Sequence, residues 1–172
     1  EILSDDSCTP KKDMTVFFYG SGIGAVNLSS SLVAGQGNNA RTVEFEIRTL
    51  QNSGTTPYLF FTGQGFVNSK CFAIEMSNSG VIWAIGWGSD FDFKPTTGKK
   101  VNDGQWHRVL VSLHSPGGVR IYVDGQLDNA DPTFAPDTQG QDNWLGRGPD
   151  GWERHFSGEL ANVRFYDYAM IE

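Results

Sequence analysis

Two groups of side chains in this sequence have the composition of a noncovalent binding site. The first is Trp87 with Phe91 and Phe93, which flank Ser89, Asp90 and Asp92; the second is Trp152, set among Arg147, Asp150, Glu153, Arg154 and His155. Indole and phenyl rings stack on the apolar face of a pyranose, while amides, carboxylates and guanidinium groups bind its hydroxyls. Each tryptophan also has a plainer reading. By parity Trp83 shares a face with Val81 and Ile85, which predicts core, and Trp87 ends that row. Pro149-Asp150-Gly151 is turn chemistry that keeps Trp152 near the surface, where it contacts a ligand or caps an open end of the fold. Covalent chemistry is poorly supplied. Glu44 and Glu46 share one strand face, but Arg48, Arg108 and Arg164 are candidate cross-strand partners, so a charge ladder explains them better than catalysis. His107, His114 and His155 are the available bases, and none adjoins a nucleophile elbow or a Cys-His pair.

The elements that must position these residues are strands. No segment keeps a helical period, and strand signals recur between turn signals. Thr15 to Tyr19 is the first run, and Gly20 to Asn39 reads as loops around a short apolar piece at Leu32-Val33. Arg41 to Leu50 alternates, with Val43, Phe45 and Ile47 facing in and Thr42, Glu44, Glu46 and Arg48 facing out. Pro57 to Thr62, Cys71 to Met76 and Val81 to Trp87 continue the meander, with a hairpin turn predicted at Asn78 to Gly80. Arg108 to Leu113 and Val119 to Val123 are joined through Ser115 to Gly118, and a further turn follows at Asp124-Gly125. Asp128 to Asp142 is too polar for a core strand and reads as a surface excursion. Ala161 to Tyr168 closes the series, with Val163 and Phe165 on the core side. The sequence contains no internal repeat.

Composition agrees with an all-β domain. The 172 residues include 21 glycines and 13% aromatics, and no linker divides them, so one domain over residues 1–172 is expected. A net charge of −7 with no basic run argues against nucleic acid and anionic membranes as partners. No apolar run approaches the roughly 20 residues that cross a bilayer, and a start at Glu1 suggests a removed leader or an excised domain. Cys8 and Cys71 lie too far apart for a zinc knuckle; they either form a bridge from the N-terminal segment to a central strand or remain buried thiols. Asn27-Leu28-Ser29 is a glycosylation sequon, which fits secretion.

Several short motifs occur in a telling order: Asp103-Gly104-Gln105-Trp106-His107, then Tyr122-Val123-Asp124-Gly125, Leu145-Gly146-Arg147, Phe156-Ser157-Gly158 and Val163-Arg164-Phe165-Tyr166-Asp167. In this order the chain from Arg41 to Met170 resembles the laminin-G-like and pentraxin-like jelly rolls of the concanavalin A-like superfamily. The first 40 residues match less clearly. The resemblance implies an antiparallel β-sandwich, with Trp106 in its core and His107 in a fixed hydrogen bond near a strand edge. It also implies an extracellular protein, and with that a Cys8–Cys71 disulfide.

What the resemblance implies about activity is mixed. Glucanases of the superfamily carry Glu-x-Asp-x-x-Glu on one strand, and this chain lacks it, so an enzyme is not expected. Pentraxins hold two calcium ions, and the matching positions here are Asn68-Ser69 and Gly148-Pro149-Asp150. With Asp150 as the only acid among them, no cofactor is expected, the alternative being one calcium at Asp150 with Asp90 or Asp92. The sequence therefore suggests a secreted, lectin-like module that binds a glycan near Asn68, Trp87, Asp90, Arg147, Asp150 and Trp152. Avidity in such proteins comes from several copies, so a homo-oligomer is expected. The alternative is an adhesion or matrix module that binds a protein.

Overall fold

In the computed structural model, residues 15–19, 25–28, 37–52, 54–88, 91–140, 142–149 and 154–171 are described. They form two six-stranded antiparallel sheets, with no α-helix among them. The first sheet runs β1 (Thr15–Tyr19), β12 (Ser157–Tyr166), β3 (Arg41–Arg48), β8 (His107–Leu113), β9 (Val119–Val123), β10 (Gln126–Asp131). The second runs β2 (Val26–Asn27), β11 (Asp142–Leu145), β4 (Tyr58–Gly63), β5 (Cys71–Met76), β6 (Ile82–Ile85), β7 (Asp92–Phe93).

One apolar core fills the space between the sheets. Val43, Phe45 and Ile47 from β3 and Val109 and Val111 from β8 meet Phe60, Phe72, Ile74 and Ile82 of the second sheet, all buried. Burying a side chain of this size contributes about 1.5–3 kcal/mol, so these alternating positions supply most of the drive to form the sandwich. At its margin Gly146, with φ +77°, lies against the Phe18 ring so closely that a Cβ would overlap it. Only glycine combines that backbone with that approach.

Four expectations change. Trp106 is not in the core: it is 39% exposed, with the Arg48 guanidinium 4.9 Å above its ring. It precedes β8 on the outward parity, since His107 is the residue turned inward. Trp83 and Ile85 do share a face, as parity requires, but it is the outer one; Ile82 and Ala84 point into the core. The polar excursion contains strand β10, because Asp124 (φ 52°) and Gly125 (φ 76°) form a two-residue turn whose twist returns the chain onto β9. Its polarity suits an edge: Asp128 Oδ1 accepts from Lys99 N at 2.7 Å and Asn129 donates to the Thr97 carbonyl at 3.0 Å. Lastly, the segment between β1 and β3 is not all loop, because Val26–Asn27 forms β2 against β11. Leu32-Val33 lies outside the described residues.

The charge ladder on β3 is present and is more enclosed than alternation suggested. Glu44 accepts from Arg108 Nε at 2.7 Å and from the Tyr166 hydroxyl at 2.8 Å, and is buried beneath them. Burial pushes its carboxyl up, but these hydrogen bonds and the charges of Arg108 and the nearby Arg164 outweigh that and hold it below the usual carboxylate range. Glu46 accepts from Asn162 at 3.1 Å, and Arg48 makes a two-pronged pair with Glu159 at 2.6 and 2.8 Å. His107 is fixed as expected, with Nδ1 2.9 Å from Asp124 and Nε2 3.0 Å from Asp103.

Candidate functional site

The outer face of the second sheet is aromatic. Alternation in β5 and β6, and the register shift between Tyr58 and Phe60 in β4, turn Tyr58, Phe61, Cys71, Ala73 and Ile85 outward, yet these five are buried, because Trp83, Trp87 and Trp144 lie over them. The register explains the row: Trp144 pairs with Phe61, Phe61 with Ala73, and Ala73 with Ile85. A cation covers several of the rings. Arg147 sits 4.4 Å above Trp144, Arg154 4.1 Å above Tyr58, and Lys94 5.7 Å above Trp83.

The β4–β5 and β6–β7 loops border this face at one end, and the β11–β12 loop, which leaves the sheet at the other end beside Leu59, folds back across the face to meet them. Their closeness is built into the backbone. Ser69 N donates to the Trp87 carbonyl at 3.1 Å, and a Cβ on Gly88 would come within 2.9 Å of the Asn68 amide. From the other side Gly148 lies flat on the Tyr58 ring and Pro149 covers Gly65. Phe66, Ser69 and Trp87 all adopt positive φ (63°, 64° and 67°). Among the described residues the other non-glycine positions in this region of φ are Asp124, in its turn, and Asn162, at the β12 bulge, both of types that tolerate it. A phenylalanine and a tryptophan do not do so readily; here both are held there in neighbouring loops. The result is an edge-to-face pair with centroids 4.9 Å apart, in which Phe66 is 50% exposed.

Beneath the β11–β12 loop is a buried ion pair. Glu75, 2% exposed, accepts from Arg154 at 2.9 Å and from Thr56 at 3.1 Å, and Arg154 also bonds the Tyr58 hydroxyl. Burial pushes the Glu75 carboxyl up against the opposing pull of Arg154. The pair fastens the loop to the sheet.

Of the residues singled out from sequence, Asn68 is exposed, and Trp87 and Arg147 are half-buried on the three bordering loops, so the fold brings these three to one region. Asp90, Asp150 and Trp152 lie outside the described residues. Asn27 is exposed on β2, in register with Trp144. Cys71 is buried and its thiol is pushed up to about 12 by that burial; Cys8 lies outside the described residues. Asp92 is already engaged: Oδ1 accepts from Gly86 N and Trp87 N at 3.2 and 3.0 Å, and Oδ2 from Lys94 at 2.7 Å. Ser69 Oγ accepts from Asp137 N. Among the described residues no three His, Cys, Asp or Glu side chains gather as a metal site.

Sequence reasoning missed Phe66, Trp144 and the Arg154–Glu75 pair. Trp144 was readable, since it alternates with Asn143 and Leu145 in a strand whose inward residue is Leu145. Phe66 and the ion pair carried no sequence signal, because each depends on contacts far along the chain.

Comparison with known proteins agrees with this geometry. Residues 20–172 match the Laminin_G_3 family model of the concanavalin A-like lectin/glucanases superfamily, and the chain belongs to that family. Among solved structures it is similar to domains LG4-5 of the mouse laminin alpha1 chain, at 16% identity and a TM-score of 0.66. That match covers 91% of this chain and 43% of the laminin chain, so the chain spans under half of that relative. It is also similar to domain 4 of AbnA, an extracellular arabinanase from Geobacillus stearothermophilus solved with arabinotriose, at 21% identity, 98% and 88% coverage and a TM-score of 0.60. A third is the native heptameric SAP-like pentraxin of Limulus polyphemus, at 16% identity, 91% and 77% coverage and a TM-score of 0.60. At these identities the structural likeness speaks for the fold.

Proposed function

We propose that the chain is an extracellular carbohydrate-binding module that holds a glycan, without turnover, on the outer face of the second sheet where the β4–β5, β6–β7 and β11–β12 loops meet it. The observation that carries this reading is the Phe66–Trp87 pair, fixed by positive φ and by the Ser69–Trp87 backbone bond. Rings held in sparsely populated backbone conformations mark a surface whose shape is maintained at a cost, as binding surfaces often are. Phe66 and Trp87 provide the stacking platform, Asn68 the amide for hydroxyls, and Arg147 a cationic donor. Asp90, Asp150 and Trp152, on the same loops in sequence, complete the set. The arabinanase domain solved with arabinotriose lends this reading support by analogy of fold. No calcium is required in this scheme, and the Cys8–Cys71 bridge belongs to the same extracellular reading. Sites of this kind are weak singly, so the module works in several copies.

The test is binding to a glycan array, with titration of the best glycan. Trp87→Ala should weaken binding about tenfold or more, since one ring stack contributes about 0.5–1.5 kcal/mol beyond the buried area. The far-ultraviolet spectrum should be retained. Unchanged affinity in both Trp87→Ala and Phe66→Ala would place the site elsewhere.

A protein-binding adhesion module is the second reading. It is favoured by a row on the other sheet, Phe17, Glu159, Arg48 and Trp106, whose rings are 54% and 39% exposed around an arginine. Exposed aromatic and arginine anchors suit a protein contact. Loss of partner binding in Trp106→Ala with glycan binding intact would favour this second surface.

A further inference from the structure

Arg147 stands apart from the other described cations that border the aromatic face. Lys70, Lys94 and Arg154, the other cations that border the aromatic face, each pair with a carboxylate: Asp137, Asp92 and Glu75. Lys100 and Arg120 form no ion pair but are exposed to water. Arg147 is half-buried, lies on Trp144, and donates Nε to the Gly148 carbonyl at 3.0 Å. The stack fixes the plane of the guanidinium and the Nε bond fixes its rotation. Among the described residues its two terminal nitrogens meet no hydrogen-bond or ion-pair partner. A planar fork held in place, with donors unused, matches a carboxylate, which accepts two parallel N–H bonds.

We infer that the glycan held at this site carries a carboxylate, as in a uronic or sialic acid, which Arg147 binds through its terminal nitrogens. This rests on the glycan-binding reading above. Among the described residues the other cations that border the face are already paired, so Arg147 is the one left to meet an anion, which suits one carboxylate better than a polysulfated chain. The net charge of −7 opposes an anion only at long range, since charges separated by more than about 8 Å are largely screened at physiological salt. Stacking on Trp144 also lowers the cost of drying the guanidinium, which is more weakly hydrated than an ammonium.

The experiment uses the full chain on an array of uronic- and sialic-acid glycans beside the same glycans with each carboxyl reduced to the alcohol, and beside sulfated glycans. Wild type should prefer at least one carboxylate form over its reduced partner about tenfold or more. Arg147→Gln should abolish the preference, weakening the carboxylate form about tenfold more than the reduced form, and Arg147→Lys should restore it only in part. Thermal unfolding of both variants within a few degrees of wild type excludes a folding defect. Equal binding of the acidic and reduced forms, or binding confined to sulfated glycans, overturns the carboxylate assignment and leaves glycan binding standing. Binding of none of the glycans overturns the glycan-binding reading and this inference with it.

Discussion

His107 is held between two acids, and both of its ring nitrogens face carboxylate oxygens. To donate on both sides the ring must carry two protons, so the fold favours imidazolium. Burial opposes that charge, but the hydrogen bonds His107 donates to Asp124 and Asp103 outweigh it and raise the His107 pKa above its usual 6.5. Asp124 is held low, at about 2: burial pushes it up, and Lys99, His107 and the Arg108 amide pull it further down. The signs then follow. The His107 contribution is complete below pH 6.5 and fades as pH rises through the raised value; that of Asp124 is complete above 3.8 and fades as pH falls toward 2. Urea unfolding between pH 4 and 9 should show a loss of stability on the alkaline side that is flattened in His107→Gln. A wild-type profile flat from pH 6 to 9 would contradict the doubly bonded ring. The Trp-His pair was readable as a fold marker, and the His half was placed correctly. Trp106 was not, because a large apolar residue next to a strand was assigned inward when parity with His107 turns it outward.

The β11–β12 loop depends on a contact that sequence could not announce. Arg154 and Glu75 are 79 residues apart and meet only because β11 pairs with β4 and β4 with β5. Removing the arginine leaves a carboxylate buried without its counter-charge, which commonly costs about 3–5 kcal/mol. Arg154→Met should therefore lower the unfolding free energy by about 3 kcal/mol, and Arg154→Met with Glu75→Leu should recover much of it. If the single variant unfolds like wild type, the pair does not fasten the loop. Glycine at 146 is as strict: Gly146→Ala meets the Phe18 ring at φ +77°, so a midpoint loss of several degrees is expected in a thermal melt. Most strands and turns were legible from alternation and turn residues. β10 was not, since its residues are polar and the ladder to β9, nucleated by Asp124-Gly125, makes it a strand.

At the scale of the molecule, a core shared by both sheets couples them. Phe45 belongs to one sheet and Phe60 to the other, and both are buried in the same cluster. Phe45→Ala and Phe60→Ala should each destabilise by about 3–5 kcal/mol, and far- and near-ultraviolet circular dichroism should report one coincident transition. Two separated transitions would mean that the sheets unfold independently. The sandwich was legible because its period is simple, whereas the site was legible only in part. Trp87, Asn68 and Arg147 stood out by type, but their convergence depends on loops whose geometry is set by tertiary contacts.

The margins of the two sheets limit how copies could join. Of the four outermost strands, β2 and β7 are two residues long, and β10 presents Asp128 and Asp131 along a polar ribbon. Short or charged borders are poor templates for a neighbouring backbone, which protects a β protein from indiscriminate stacking. Among the described strands only β1, five residues long, offers a border able to continue a ladder into a second chain. A ring or array of these modules built elsewhere would have to meet through side-chain surfaces, leaving each aromatic face turned outward.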